Sequence, residues 1–188
     1  ARRLSYRSAG TVEFLVDVTR DAFYFLEMNA RIQVEHPITE AVTGIDIVAR
    51  QIAIAEGAGI GPTQSDIRTE GCALECRINA EDPARDFLPS PGVVSEVCWP
   101  VGAGVRVDTH IEAGCQVPPY YDSLLAKIIV HAPDRAGTLA AMREAIAATR
   151  VSGVATNLAF HARLLADPEF AAGGVDTGYV ERLLARVA

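Results

Sequence analysis

The strongest constraint in this chain is a five-residue apolar run, Ala22-Phe23-Tyr24-Phe25-Leu26, that passes without transition into Glu27-Met28-Asn29-Ala30-Arg31-Ile32-Gln33-Val34-Glu35-His36-Pro37. Aromatic-rich runs of this length favour strands, and this one reads as a buried strand. Its end delivers two carboxylates, a guanidinium and two amides into one short stretch. Charged groups are rarely buried unless paired or bound to a metal. So many of them against a hydrophobic strand suggest an ion-handling site. The plainer alternative is a strand that exits into a solvated loop.

Around this feature the chain reads as α+β. Residues 10–18 and 22–28 form an antiparallel hairpin across the polar turn Thr19-Arg20-Asp21. Residues 38–57 are expected to be helical with a break at Gly44. Thr39 caps the first piece, and Asp46 suits the positive end of the second. Ile45, Val48, Ile52 and Ala55 make its buried face. Glycines 57, 59 and 61 and Pro62 punctuate a linker over 57–69. The domains are therefore expected at 1–68 and 69–188. Beyond the linker, 72–78, 92–99, 105–111 and 123–131 read as strands, and 136–149, 157–165 and 177–186 as helices.

A formal charge of −7 and a pI near 5.1 argue against nucleic acid or an anionic membrane as partner. The most apolar stretch, 124–130, is too short to span a bilayer and carries Lys127. Cys72, Cys76, Cys98 and Cys115 show no CxxC spacing and read as small buried thiols in a reducing, cytoplasmic compartment. Cys72 and Cys76 would lie roughly 13 Å apart on a regular strand, too far for a bridge. The Arg- and Ser-rich opening, residues 1–8, reads as the tail of a helix. With no initiator Met, the chain is expected to start inside a longer protein.

The stretch Glu27 to Pro37, E-M-N-x-R-x-Q-V-E-H-P, closely resembles the active-site segment of biotin carboxylase, one of the ATP-grasp enzymes. The resemblance continues through Glu75-Cys76-Arg77-Ile78-Asn79-Ala80-Glu81-Asp82-Pro83 and Phe87-Leu88-Pro89-Ser90-Pro91-Gly92. It runs on through Val117-Pro118-Pro119-Tyr120-Tyr121-Asp122-Ser123-Leu124 to Gly173-Gly174-Val175-Asp176-Thr177. The blocks fall in the family's order over nearly the whole chain. The implied fold is the C-terminal portion of an ATP-grasp domain, followed by a mainly antiparallel sheet with packed helices.

Glu13 and Glu27 lie on neighbouring strands, where two carboxylates can converge on one divalent cation. The resemblance makes both of them ligands of Mg2+ (or Mn2+) and of ATP, with Asn29 alongside as a metal ligand and Leu15 on the adenine side. The turn between these strands is longer than the family often shows. In an extended segment Arg31, Gln33 and Glu35 would share one face. Arg31 can grip a bicarbonate oxyanion, Gln33 and the backbone of Val34 can add donors, and Glu35 can take the bicarbonate proton. The alternative is a plain Arg31–Glu35 salt bridge. His36, beside Pro37, reads as ordering the turn. Arg77 is implied near the ureido oxygen of biotin, against a structural ion pair with Glu75 or Glu81. Tyr121 and Asp122 are implied near the biotin end or a subunit contact. Arg106 matches a position associated with the dimer interface, and Thr177 stands where relatives place an apolar residue close to adenine.

The chemistry implied is ATP-dependent carboxylation of biotin: bicarbonate is phosphorylated to carboxyphosphate, which yields carbon dioxide and phosphate. Phosphate deprotonates biotin, whose nitrogen attacks the carbon dioxide. Biotin would arrive on a carrier protein or domain, and a carboxyltransferase would consume the product. The family's N-terminal half, with its glycine-rich lid and ATP-holding lysines, has no counterpart in these residues. They are therefore expected to hold one wall of an active site and to be inactive alone. A non-catalytic dimerisation or carrier-docking module, or a carboxylate–amine ligase of the wider ATP-grasp group, remain as alternatives.

Overall fold

The computed structural model describes residues 2–186. The chain divides into two compact units, Ala1–Glu70 and Gly71–Ala188. Among the described residues no helix is long and apolar enough to cross a membrane.

In the first unit, β1 (Thr11–Asp17) and β2 (Ala22–Asn29) pair antiparallel. The Asp17 carboxylate accepts the N–H groups of Thr19 and Arg20 at 3.0 and 3.1 Å, and Asp21 takes the left-handed φ of 47° that closes the turn. Glu13 faces Glu27, but Phe14 faces Phe25, so Leu26 is a bulge residue without a partner. A one-residue slip moves side chains to the other face of a strand. Without it, Phe25 would share the face of Glu27. With it, Phe14, Phe23 and Phe25 gather on one face, their rings 5.5 and 6.2 Å apart in edge-on contact. Glu13, Leu15, Glu27 and Asn29 take the other. The expected burial of 22–26 does not hold: Phe23 is 72% exposed, and Tyr24, Phe25 and Leu26 are exposed as well. A two-stranded ribbon cannot bury its own faces.

Helix α1 (His36–Thr43) starts earlier than expected, with Pro37 in its first turn, so Thr39 lies inside it and is not its cap. Gly44, at φ 70°, ends it and returns its N–H to the Glu40 carbonyl. Helix α2 (Ile47–Ala55) is capped as expected: the Asp46 carboxylate accepts the Ala49 N–H at 2.7 Å. Its inward side is Ile47, Gln51 and Ile54, whereas Val48, Ile52 and Ala55 are exposed. The helix is apolar nearly all round, so periodicity alone does not choose its face. Ile47 and Ile54 join Ile60, Pro62 and Ile67 around an apolar cavity of about 260 Å3. The opening residues hold a short 3-10 turn, Arg2–Leu4, in place of the expected helix tail.

The second unit runs β3 (Cys72–Asn79), β4 (Glu81–Asp82), β5 (Leu88–Pro89), β6 (Gly92–Val93), β7 (Glu96–Cys98), β8 (Val105–Thr109), β9 (Gln116–Val117), β10 (Leu124–Ala132), α3 (Arg135–Ala148), β11 (Arg150–Ser152), α4 (Leu158–Ala166), α5 (Pro168–Ala172) and α6 (Tyr179–Ala185). Its main sheet is antiparallel in the order β3-β10-β8. The single strand expected over 92–99 is two, because β6 pairs with β9 and β7 with β11. Helix α5 was not expected.

Along β10, Ala126, Ile128 and Val130 alternate onto the face that packs under α3 and α4, meeting Leu139, Met142, Ile146 and Leu165. Each of the larger of these side chains, fully buried, contributes about 1.5–3 kcal/mol. Asp134 caps α3 by accepting the Gly137 N–H, and the buried Thr138 hydroxyl donates to the Cys72 carbonyl at 2.9 Å. The four cysteines are free thiols, but only Cys76 is buried; Cys98 is exposed, which corrects the expectation for it. Burial, aided by the Glu75 carboxylate, pushes the Cys76 thiol up to about 12.

Candidate active site

Glu13 and Glu27 are directly opposed in the hairpin register, and Asn29 lies two residues on from Glu27 along the same face. The Asn29 amide bridges them, its Nδ2 donating to Glu13 Oε1 at 2.7 Å and to Glu27 Oε1 at 3.3 Å. Two carboxylates held together in this way repel unless a donor or a cation lies between them. Leu15 extends the same face toward the hairpin tip and is exposed. Among the described residues no cluster of three or more His, Cys, Asp or Glu side chains is set to hold a metal. The two carboxylates nonetheless fit magnesium, which takes few protein ligands and completes its shell with phosphate oxygens and water, and Asn29 can join them once its amide turns its oxygen toward the acids.

Past β2 the chain is not extended. Val34 and Glu35 form a turn, so strict alternation of side chains is lost. Arg31, Gln33 and Glu35 even so line one cavity of about 250 Å3, together with Gly10, Thr11 and His36. The Val34 side chain is half-buried, and Val34 is not part of that lining. Arg31 donates from Nη1 to the Ile32 carbonyl at 3.0 Å. His36 Nδ1 lies 2.7 Å from the Gln33 carbonyl; a carbonyl only accepts, so Nδ1 carries the proton. Its Nε2 faces Glu40 at 3.9 Å, and Glu40 in turn accepts the Ile47 N–H at 2.9 Å. His36 thus orders the turn, as the sequence suggested.

In the second unit the outer face of the sheet carries charge. Arg77, Lys127 and Asp108 lie side by side across β3, β10 and β8, and Glu75, Ile129 and Arg106 form the next row. Arg77 is 46% exposed, and its Nε is 3.9 Å from the buried Glu75 carboxylate, too long for a hydrogen bond. Glu81 turns elsewhere, accepting from Asn79 and Ser123. Asp108 accepts from Arg106 through two bonds, 2.7 and 2.9 Å, and meets Lys127 at 3.2 Å. Burial alone would raise its carboxyl, but these two cations outweigh burial and hold it below the usual range. Tyr121 is exposed beside a small cavity walled by Pro89, Pro91, Pro118 and Pro119. Asp122 accepts the Leu124 N–H at 2.8 Å and so orders the entry to β10. Thr177 is exposed.

Sequence reasoning passed over two residues at the start of α4. Asn157 and His161 both reach the main chain of Arg77. The signal was present, since the two stand four apart and share one face of a predicted helix.

Two family models match the chain: biotin carboxylase C-terminal domain over residues 75–182, and carbamoyl-phosphate synthase L chain, ATP binding domain, over residues 1–62. A biotin carboxylase from Nostoc sp. is 48% identical over 183 residues, which takes in 97% of this chain and 41% of the relative. A biotin carboxylase from Pseudomonas aeruginosa is 50% identical, across 96% of this chain and 40% of its own length. The biotin carboxylase domain dimer of Hydrogenobacter thermophilus 2-oxoglutarate carboxylase, solved with MgADP, ADP and bicarbonate, superimposes with a TM-score of 0.93. It is 45% identical, over 96% of this chain and 40% of that one. The chain thus spans about 40% of the length of these relatives.

Proposed function

This chain belongs to the biotin carboxylase family through its C-terminal domain, and on that premise we propose that it supplies one wall of a site that carboxylates biotin with ATP and bicarbonate. The observation that carries the reading is the convergence of Arg31, Gln33 and Glu35 on one cavity. A guanidinium and an amide can hold the bicarbonate oxyanion there, helped by the Val34 backbone. The Glu35 carboxylate takes the bicarbonate proton, and the freed oxygen attacks the γ-phosphorus of ATP with ADP as leaving group. The product, carboxyphosphate, releases carbon dioxide and phosphate. Phosphate takes the ureido N–H proton of biotin, and that nitrogen attacks carbon dioxide.

Magnesium, held by Glu13, Glu27 and the amide oxygen of Asn29, would neutralise charge on the nucleotide phosphates. Leu15, on the same face, offers apolar contact to the adenine side. Arg77 stabilises the negative charge that grows on the ureido oxygen, and Tyr121 and Asp122 flank the biotin end. A biotin carrier, a carboxyltransferase and a second copy meeting near Arg106 are the partners this reading implies. The remainder of the ATP-grasp architecture comes from residues outside these 188, without which the chain is inactive.

The test is a chimera in which this chain replaces the matching segment of the P. aeruginosa relative. Bicarbonate-dependent ATP cleavage with free biotin is expected in the chimera. Arg31→Ala and Glu35→Gln should each reduce it by about 100-fold or more, the scale seen when an electrostatic or acid–base group is removed. Full activity in both variants, with folding intact, leaves a non-catalytic docking module as the better reading.

A further inference from the structure

The geometry points to Asn157 and His161 as positioning residues that aim Arg77 by gripping the main chain on which it stands. Strand β3 lies at the edge of its sheet, with only β10 beside it. An edge strand has a row of unpaired N–H and C=O groups on its outer side and is free to twist. Here that side is closed at Arg77–Asn79. Asn157 Nδ2 donates to the Arg77 carbonyl at 3.0 Å, Asn157 Oδ1 accepts the Asn79 N–H at 3.0 Å, and the Asn157 N–H donates to the Asn79 carbonyl at 3.2 Å. One residue thereby copies the bonds of a neighbouring strand. His161 Nε2, at 2.8 Å, gives the Arg77 carbonyl a second donor.

Two features set this apart from ordinary helix capping. Asn157 occupies the N-cap of α4, where an Asn side chain normally accepts from the first turn, yet it makes no such bond. Its side chain is spent on β3 instead, and the residue is 8% exposed. His161 is the next residue on the same helix face, its own N–H bonded to the Asn157 carbonyl at 3.0 Å. Both side chains therefore come from one rigid turn and converge on one carbonyl. Burial holds the His161 imidazole below its ordinary value, opposed by the Arg77 bond, so the neutral ring keeps its proton on Nε2. The Arg77 guanidinium approaches the Glu75 carboxylate at 3.9 Å and is half exposed. The hydrogen bonds from Asn157 and His161 fix the backbone from which that side chain starts.

The inference rests on Arg77 as the biotin-facing cation. It separates two half-reactions that the same chimera reports: slow bicarbonate-dependent ATP cleavage without biotin, and the faster cleavage that free biotin evokes. Asn157→Ala and His161→Ala should each lower the biotin-evoked rate by about 10- to 100-fold, the cost of misplacing a group by about an ångström. They should raise KM for biotin while the biotin-independent rate stays within about twofold of the parent. His161→Gln, which keeps an N–H donor, should recover most of the loss; that rescue does not depend on Asn157→Ala folding well. Equal losses in both half-reactions, or none in either, overturn the inference. If Arg77→Ala abolishes the biotin-evoked rate while the Asn157 and His161 variants retain it, only the inference falls. If Arg77→Ala itself changes nothing, the functional reading of Arg77 falls and takes the inference with it.

Discussion

Replacing Asn29 with Asp tests the electrostatics of the hairpin face without any need for turnover. The amide now donates to Glu13 and Glu27 at 2.7 and 3.3 Å. A carboxylate in its place turns two attractive contacts into two repulsions. At those separations, in a water-like dielectric, each repulsion is about 1–1.5 kcal/mol. Glu27 is exposed, so salt and side-chain movement reduce the sum, and a loss of about 1–2 kcal/mol in local stability is expected. Amide hydrogen exchange across residues 11–29 in EDTA should therefore run about 5- to 30-fold faster in the Asn29→Asp chain than in the parent. Magnesium should reverse the effect, because three carboxylates on one face bind it better than two. At ten times its dissociation constant it contributes about 1.4 kcal/mol. Unchanged exchange in EDTA would refute the claim that the amide holds the carboxylates together. Exchange in the Asp variant that ignores magnesium would refute their convergence on one cation.

Two further predictions concern the second unit. Met142 is fully buried under the main sheet, so Met142→Ala should cost about 2–5 kcal/mol in urea denaturation; a loss below about 1 kcal/mol would mean that the site collapses around the missing atoms. Arg182 bonds Glu169 at 2.9 Å and Asp176 at 2.8 Å, and these bonds hold both carboxyls below their ordinary values. A depressed carboxyl stabilises the fold above its unfolded pKa, near 4, and that contribution is lost as pH falls through the folded value. The Tm difference between the parent and Arg182→Gln should be widest near pH 7 and close below about pH 3; a gap of the same width at both ends would contradict the assignment.

Where local pattern decides structure, the sequence was readable. The hairpin, the break at Gly44, the Asp46 cap and the three longer helices of the second unit follow from periodicity and caps set within a few residues of each other. The pairing of Glu13 with Glu27 was legible too, despite a long turn. What was not legible depends on distant partners. Val94 and Ser95 divide an apparently continuous strand because β6 and β7 find β9 and β11 far along the chain. The exposure of Phe23 and Phe25 reflects the absence of a covering layer among the described residues, which no pattern within the run can report. The inward face of α2 was misread because isoleucines occur on several sides of it. The candidate site followed the same division: Arg31, Gln33 and Glu35 stood together in the sequence and share a cavity, whereas Asn157 touches β3 across 80 residues.

The single unpaired residue at Leu26 has a consequence for tolerance to change. It resets the up-and-down parity of the ribbon between its open end and its tip. Toward the tip, lengthening or shortening the turn leaves the opposition of residues 13 and 27 untouched. Toward the open end there is no such buffer: one residue gained or lost among 27–29 would send the Asn29 amide to the aromatic side. Variation in length should therefore be tolerated around Thr19 and Arg20 and punished beside the acids, a polarity that loop-insertion libraries can read directly.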